Sequence, residues 1–290
     1  SFAAQDCGAL AKLSLPQTTI ETAEEITGGT FQPKTGNPMR NLPELCRVAG
    51  VIRPSADSEI RFETWMPAKD WNSRFAGVGN GGFAGSLNLG GVAGAVQHGY
   101  ASGTTDTGHT GGDAKWALNH PEKIIDFGWR AVHEMTVKSK AIVEAYYGRK
   151  IDKAYFNSCS NGGRQALMEA QRFPDDYDGI IAGAPANYWT HLLTLAGTQT
   201  KATLETDASY IPVAKLKAIQ AAANDACDAR DQVKDGVIEE PNKCVPDYGK
   251  LLCAGAESDA CLTAAQLKAL KTIAAGPHTA KGKRVYPPLS

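Results

Sequence analysis

This sequence lacks the long apolar runs of membrane proteins and the basic stripes of nucleic-acid-binding proteins. No apolar run approaches the roughly 18 to 20 residues that span a bilayer, and the first residues lack a charged segment followed by an apolar one. The 30 basic and 31 acidic residues give a formal net charge of −1, and no basic stripe alternates with aromatic residues. We therefore expect a soluble chain from which any signal peptide has gone, with neither nucleic acid nor a membrane as a partner.

The sequence also lacks internal repeats and the paired CxxC spacing of zinc and thioredoxin sites. Its 7 cysteines are better interpreted as disulfides, which predicts a secreted or periplasmic protein. The pairs we predict are Cys7–Cys46, Cys227–Cys244 and Cys253–Cys261. Cys159 is left over, either as a buried free thiol or as half of a bridge to a cysteine outside this sequence.

Residues 46–187 alternate strand-like runs with amphipathic stretches, a pattern typical of an α/β layer fold. A helix is predicted over 129–147, where five apolar residues fall on one face and Gly148 ends it. We predict strands at 60–66, with period-two alternation, at 74–79, at 100–105, at 153–157 and, as a buried parallel strand, at 179–185.

Beyond Tyr188 the strand signals disappear. Two helices are predicted, over 212–226 and over 263–275, and a capping box of Thr263 and Gln266 begins the second. We therefore predict an α/β core over residues 1–187 and an incomplete lid domain over residues 188–290.

Ser160 has the surroundings of a nucleophile. A serine hydroxyl needs a base to take its proton, and hydrolases place such a serine on a sharp strand-to-helix turn of pattern G-x-S-x-G. Here the pattern reads SCSNG, with Ser158 in place of the first glycine, between a predicted strand and a predicted helix over 164–173. Ser158 is still small, so a catalytic elbow is favoured over a purely structural turn.

A nucleophilic serine also needs hydrogen-bond donors for the oxyanion of its tetrahedral intermediate. The amide of Asn161 is the first candidate. Gly81 and Gly82, in the glycine-rich loop GVGNGGF after the strand at 74–79, are the others. A phosphate-binding loop is the alternative, but the segment lacks GK[ST] and the G-x-G-x-x-G spacing.

Several longer motifs around Ser160 resemble the tannase and feruloyl esterase family, to which mono(2-hydroxyethyl) terephthalate hydrolases also belong. They are DWN at 70–72, GNGG at 79–82, TDTGH at 105–109, HP at 120–121, CSNGGR at 159–164, QRFPDDYDGI at 171–180 and GAPA at 183–186. The resemblance covers about residues 45–245. It implies an α/β-hydrolase fold with an inserted lid domain and a Ser-Asp-His triad. In the family, the cysteine before the serine, here Cys159, is bonded to a cysteine directly after the histidine.

The resemblance further implies a structural calcium site in the lid. Asp228, Asp231 and Asp235 would supply carboxylates, and Val233 and Val237 would supply main-chain carbonyls. Closely spaced aspartates in a loop with glycine suit a hard cation with oxygen ligands, although the spacing is not that of an EF-hand. A solvated acidic loop is the alternative.

The sequence offers no convincing base for Ser160. In the α/β-hydrolase order the acid and then the histidine follow the serine, which excludes His98, His109, His120 and His133. His191 follows too soon after the elbow, and His278 has no cysteine after it. We interpret His109 as a hydrogen-bonding residue near the site. We expect the triad Asp and His in a carboxy-terminal segment beyond Ser290.

Two functional hypotheses follow. In the first, a secreted serine esterase attacks feruloyl, galloyl or terephthalate-type esters through an acyl-enzyme on Ser160, with no organic cofactor. In the second, the chain is a catalytically incomplete fragment or a calcium-stabilised binding module without the triad Asp and His. Tyr188, Trp189 and Leu192 are candidates for contacts to the small aromatic substrate.

Overall fold

The computed structural model describes residues 5–83 and 85–288 of the chain. The chain divides into two compact units, residues 1–187 and residues 188–290. All strands of the described ranges lie in the first unit. None of the described helices is both long and apolar enough to cross a membrane.

A seven-stranded mixed sheet forms the centre of the first unit. Its strands, numbered along the chain but given in spatial order, are β1 (Thr18–Ile26), β4 (Leu45–Ile52), β5 (Ile60–Pro67), β7 (Ala101–Thr105), β6 (Arg74–Val78), β8 (Lys153–Cys159) and β9 (Gly179–Gly183). A separate pair is formed by β2 (Thr30–Phe31) and β3 (Met39–Arg40). Strands β1, β4, β5 and β7 pair antiparallel, whereas β7, β6, β8 and β9 pair parallel. The predicted α/β-hydrolase class is confirmed.

The described residues of the first unit form the α-helices α1 (Leu89–Gln97), α2 (Pro121–Ile125), α3 (Ala131–Tyr147) and α4 (Asn161–Arg172), and 3₁₀ turns at Cys7–Lys12 and Lys115–Ala117. A π-helical turn, Asp126–Arg130, connects α2 to α3. The helix predicted over 129–147 is confirmed, and Gly148 ends it with φ 64°. Helix α3 begins at Ala131, two residues after the predicted start, because Asp126–Arg130 forms a π-helical turn that departs from the 3.6-residue period.

Strand β5 corrects one prediction from the sequence pattern. The expected alternation of buried and exposed residues is wrong, because Arg61 is the one exposed residue among its eight. Both faces of β5 are covered: Trp65 packs in a cluster with Val92 of α1, and Phe62 packs in a second cluster with Met135 of α3. A strand that is covered on both faces has no solvent-exposed face, so buried and exposed residues do not alternate along it.

Strand β9 is parallel to β8, as predicted, but it is not buried. It pairs with β8 alone in the described chain and forms one edge of the sheet. Ile181 is 61% exposed. The apolar run at 179–185 therefore predicted the strand, which ends earlier, at Gly183, but predicted its burial wrongly.

The amino-terminal segment adds a strand that the sequence did not predict. β1 pairs antiparallel with β4 from Thr18 opposite Ile52 to Ile26 opposite Leu45. The predicted Cys7–Cys46 disulfide is confirmed, and it joins the first 3₁₀ turn to β4.

The second unit is helical, with α5 (Trp189–Leu204), α6 (Leu216–Cys227), α7 (Ala264–Ala275) and short 3₁₀ turns at Asp207–Ser209, Val213–Lys215, Asp228–Asp231, Pro241–Lys243 and Tyr248–Leu251. The capping box of Thr263 and Gln266 is confirmed. Helix α6 starts later than predicted, after a 3₁₀ turn, because Pro212 is in an extended conformation. Helix α5 was not predicted. Both predicted disulfides of this unit, Cys227–Cys244 and Cys253–Cys261, are confirmed.

Candidate active site

The turn at Ser160 is sharper than the sequence indicated. Strand β8 continues to Cys159 and α4 begins at Asn161, so Ser160 alone connects them. The predicted strand end at 157 and helix start at 164 were wrong, because Gly162 and Gly163 are helical rather than part of the turn. Ser160 has φ 61° and ψ −120°, a conformation that costs a residue with a Cβ about 1–3 kcal/mol. The residue is exposed at this corner.

Main-chain hydrogen bonds hold Ser160 in this conformation. Its N–H donates to the carbonyl of Gly183 in β9 at 3.0 Å. Its own carbonyl accepts from the N–H groups of Arg164 (3.1 Å) and Ala186 (3.0 Å). The neighbouring strand and helix therefore fix the strained turn.

Two glycines allow α4 to pack tightly against the sheet at the elbow. A Cβ at Gly162 would lie 2.6 Å from the Cβ of Ser158. A Cβ at Gly163 would lie 2.8 Å from the Cα of Pro185 and would clash with the carbonyl oxygen of Gly183. These contacts are too short for any side chain, so both positions require glycine for close approach.

The glycine-rich loop after β6 lies beside the elbow. A Cβ at Gly79 would lie 3.0 Å from the Cα of Gly162. Asn80 and Gln165 of α4 bind each other twice: the Asn80 N–H donates to Gln165 Oε1, and Gln165 Nε2 donates to Asn80 Oδ1, both at 3.1 Å. This reciprocal pair fastens the loop to the first turns of the helix that follows Ser160.

The predicted oxyanion donors lie on these two segments. Asn161 is the first residue of α4, where the N–H groups have no acceptor inside the helix and the helix dipole favours negative charge. Gly81 and Gly82 directly follow the fastened Asn80, are exposed, and have open space around them. The structure thus places the candidate donors on two segments that are hydrogen-bonded to each other.

His109 is hydrogen-bonded to the last residue of the glycine-rich loop, Phe83. Its Nε2 lies 2.6 Å from the carbonyl oxygen of Phe83, which can only accept, so Nε2 carries the proton. Its Nδ1 then accepts from Thr107 Oγ1 at 3.3 Å, and its ring stacks on Trp116 at 4.1 Å. Burial lowers the pKa of His109, which keeps the imidazole neutral. His109 is thus a hydrogen-bonding residue next to the site, as the sequence indicated.

The other histidines of the first unit are bonded elsewhere as well. His98 Nδ1 pairs with the carbonyl of Gly94, His120 Nδ1 with Asp57, and His133 Nδ1 with Asp176. Within residues 5–83 and 85–187, no histidine hydrogen-bonds to Ser160.

Cys159, directly before Ser160, is exposed and is the one cysteine of the described ranges without a disulfide partner. The alternative of a buried free thiol is therefore wrong. The last residue of β8 reaches solvent because the sheet ends at the elbow.

The acidic loop of the second unit folds around Asp228. That residue is buried, and its Oδ1 accepts from the N–H of Gly236 at 3.0 Å. Asp231 and Asp235 are exposed and accept from the N–H groups of Val233 and Val237. Within the described residues these three aspartates do not form a group whose ligand atoms all lie within 4.8 Å of one another, and the calcium site stays a prediction. Val233 and Val237, the predicted carbonyl ligands, lie at the exposed rim.

The sequence did not reveal a buried cluster that joins α3, α4 and the loop after α4. His133 Nδ1 donates to Asp176 Oδ2 at 2.7 Å, and fully buried Glu169 has one oxygen within 4.8 Å of both groups. Burial, followed by the charge of Asp176, raises the pKa of Glu169 to about 9. Glu169 is therefore protonated at neutral pH, and neither of its buried carboxyl oxygens has a hydrogen-bond partner in the described part of the chain. The three residues are too far apart in sequence to form a motif.

The three candidates for substrate contacts lie at the start of α5. Tyr188 precedes the helix in a left-handed conformation and is 68% exposed. Trp189 and Leu192 are half-buried within the second unit.

Comparisons with known proteins agree on one family. The model of the family described as tannase and feruloyl esterase matches residues 46–290. An uncharacterized esterase of Xanthomonas campestris pv. campestris is 46% identical over 97% of this chain and 49% of its own length. A probable feruloyl esterase B-2 of Aspergillus terreus is 32% identical over 95% of this chain and 54% of its own length.

Solved structures give the same result. Feruloyl esterase B from Aspergillus oryzae superimposes with a TM-score of 0.86 at 29% identity, over 98% of this chain and 58% of that protein. Tannin acyl hydrolase from Aspergillus niger superimposes with a TM-score of 0.65 at 27% identity, over 98% of this chain and 55% of that protein. The chain thus spans about half the length of the curated relatives that it matches.

Proposed function

This chain belongs to the tannase and feruloyl esterase family, and from that premise we propose that the protein is a carboxylic ester hydrolase for aromatic acyl esters, with Ser160 as its nucleophile. The observation that carries the proposal is the strained, exposed conformation of Ser160 between β8 and α4. Relatives are named feruloyl esterase and tannin acyl hydrolase, and the substrates that we propose are feruloyl, galloyl or terephthalate-type esters.

The proposed reaction has two halves. Ser160 Oγ attacks the ester carbonyl carbon while a base takes its proton, and the tetrahedral intermediate collapses when that proton passes to the departing alcohol. Water then attacks the acyl-enzyme by the same route and releases the aromatic acid. The acyl-enzyme breaks one difficult hydrolysis into two easier steps.

We assign the stabilisation of the negative oxygen in each tetrahedral intermediate to hydrogen bonds from the N–H groups of Asn161, Gly81 and Gly82. Losing one donor of this kind costs about 10²- to 10³-fold in turnover. The Asn80–Gln165 pair supports this assignment, because it holds the two donor segments in a fixed relation before substrate arrives.

A base must still reach Ser160. None of the four histidines of the first unit hydrogen-bonds to Ser160 in the described residues, so we assign the triad His and Asp to sequence outside residues 5–187. The family's disulfide would join the exposed Cys159 to the cysteine directly after that histidine, and this bond would hold the base at a fixed distance from the nucleophile.

A panel of three esters tests the function. We expect the full-length protein to hydrolyse at least one of methyl ferulate, methyl gallate and mono(2-hydroxyethyl) terephthalate, with the aromatic acid measured by liquid chromatography. Methyl butyrate, which has the same alcohol as the first two but no aromatic acyl group, is the control. Binding of all three esters without acid release would favour the binding-module alternative instead.

We also propose that calcium stabilises the loop from Asp228 to Val237. Dialysis against a calcium chelator should lower the melting temperature by about 5 °C, since a cation at 100 times its dissociation constant contributes about 2.7 kcal/mol. Asp228→Asn keeps the acceptor for Gly236 but loses the charge, so it should lose the response to calcium. Asp247→Asn is the matched control, because Asp247 also accepts a main-chain N–H, that of Gly249, outside the loop. An identical melting temperature with and without calcium would contradict the calcium site and favour a solvated acidic loop.

The three disulfides support an oxidising compartment, and we propose that the protein is secreted or periplasmic. Reducing compartments keep cysteine thiols reduced, so these disulfides form in an oxidising compartment.

A further inference from the structure

Arg164 occupies an unusual place for a charged residue. It lies in the first turns of α4, four residues after Ser160, and it is only 8% exposed. Taking a charge out of water costs several kcal/mol unless hydrogen bonds satisfy it. A methionine or leucine would fill the same volume without that cost, so the guanidinium must be explained by what it binds.

The three nitrogens of Arg164 reach three different acceptors. Nε donates to Asn161 Oδ1 at 2.8 Å. One terminal nitrogen donates to the carbonyl of Gly128 and the other to the carbonyl of Phe127, each at 2.9 Å. The last two acceptors lie in the π-helical turn between α2 and α3. Arg164 therefore connects the residue directly after the nucleophile to a separate helix.

The same guanidinium also supports the second donor segment. It lies 4.7 Å from the centre of the Phe127 ring, in cation–π contact. Phe127 in turn stacks on Phe83 at 5.9 Å, and Phe83 directly follows Gly82. One side chain is thus linked to both Asn161 and the Gly81–Gly82 loop, the two segments to which oxyanion binding is assigned.

From these contacts we infer that Arg164 is a positioning residue that holds the Asn161 amide and the Gly81–Gly82 loop at a fixed separation for the oxyanion. The inference rests on the proposed esterase function. Its physical basis is that an oxyanion hole works through preorganised donors, so that a displacement of about 1 Å can cost about 10²-fold in rate.

Arg130 provides a matched control for a merely structural role. It is a half-buried arginine at the same π-helical turn, and it binds Asp126 at 2.6 Å and Glu122 at 2.8 Å. Neither Asp126 nor Glu122 lies on α4 or on the glycine-rich loop. Arg130→Lys should weaken the turn without moving the donor segments.

The test compares Arg164→Lys with Arg130→Lys in the full-length protein. Lysine keeps the charge but cannot reproduce a planar fork with three acceptors. For Arg164→Lys we expect kcat to fall about 10- to 100-fold while KM changes less than about threefold. For Arg130→Lys we expect kcat to stay within about threefold of the wild type. Equal losses of kcat in the two variants would overturn the inference.

A second readout does not depend on activity. Hydrogen–deuterium exchange of the peptide spanning residues 156–166 should become at least about tenfold faster in Arg164→Lys than in Arg130→Lys, because the elbow loses its brace. Unchanged exchange would overturn the positioning role even in an active enzyme. If the wild type hydrolyses no ester, the proposed function fails, and the exchange comparison still decides whether Arg164 fixes the elbow. Asn161→Ala, which deletes only the acceptor of Nε, should give the same faster exchange if Arg164→Lys folds poorly.

Discussion

Ser160→Ala should reduce ester hydrolysis by at least about 10⁴-fold while leaving the fold intact, because removal of a serine nucleophile also disables the base that serves it. The residual rate would come from substrate binding and the oxyanion donors alone. The measurement is kcat/KM for the best ester of the panel, with the melting temperature as a check on folding. Ser158→Gly, which restores the usual G-x-S-x-G pattern two residues earlier, should remain active. Undiminished turnover in Ser160→Ala would remove Ser160 from the mechanism.

The strain at Ser160 separates its role in catalysis from its role in stability. Glycine adopts φ 61° without a steric penalty, and the Ser160 side chain makes no capping hydrogen bond to α4. Ser160→Gly should therefore be as inactive as Ser160→Ala yet more stable to denaturant by about 1 kcal/mol. A loss of stability would contradict the strain that the backbone angles indicate.

The sequence predicted the elbow, but it predicted the end of β8 and the start of α4 wrongly, for a physical reason. Gly162 and Gly163 are weak helix formers, so local preference favours a turn. In the fold they are helical because α4 must approach β9 and Pro185 closely. Tertiary packing overrides local preference here, since Gly163 packs against Gly183 and Pro185, which lie 20 and 22 residues further along the chain.

Other parts of the site could not be read from local patterns at all. The bonds that fasten the glycine-rich loop join Asn80 to Gln165, and the brace on Phe127 comes from Arg164. These contacts span 85 and 37 residues, and no period or spacing marks them. The Cys227–Cys244 and Cys253–Cys261 disulfides were predictable because local pairing closes short loops, with sequence separations of 17 and 8 residues, and the fold class was predictable because strands and helices alternate.

Gly163→Ala should severely disrupt the elbow at Ser160. The added Cβ would clash with the carbonyl of Gly183 and lie 2.8 Å from the Cα of Pro185, and both are main-chain atoms that cannot rotate away. The carbonyl of Gly183 is also the acceptor that holds the N–H of Ser160 at 3.0 Å. We therefore expect a loss of about 3 kcal/mol in unfolding free energy and at least about a 10²-fold loss in kcat.

The control for this change is Gly94→Ala in α1. Gly94 is also helical, but a Cβ there would meet nothing within 4 Å. The same substitution should then be neutral or stabilise the protein by up to about 1 kcal/mol, because alanine is the better helix former. Chemical denaturation of both variants gives the difference in unfolding free energy, and ester hydrolysis gives the difference in kcat. Equal stability of the two variants would mean that α4 can move away from β9, and the nucleophile would then owe its conformation to something other than this contact.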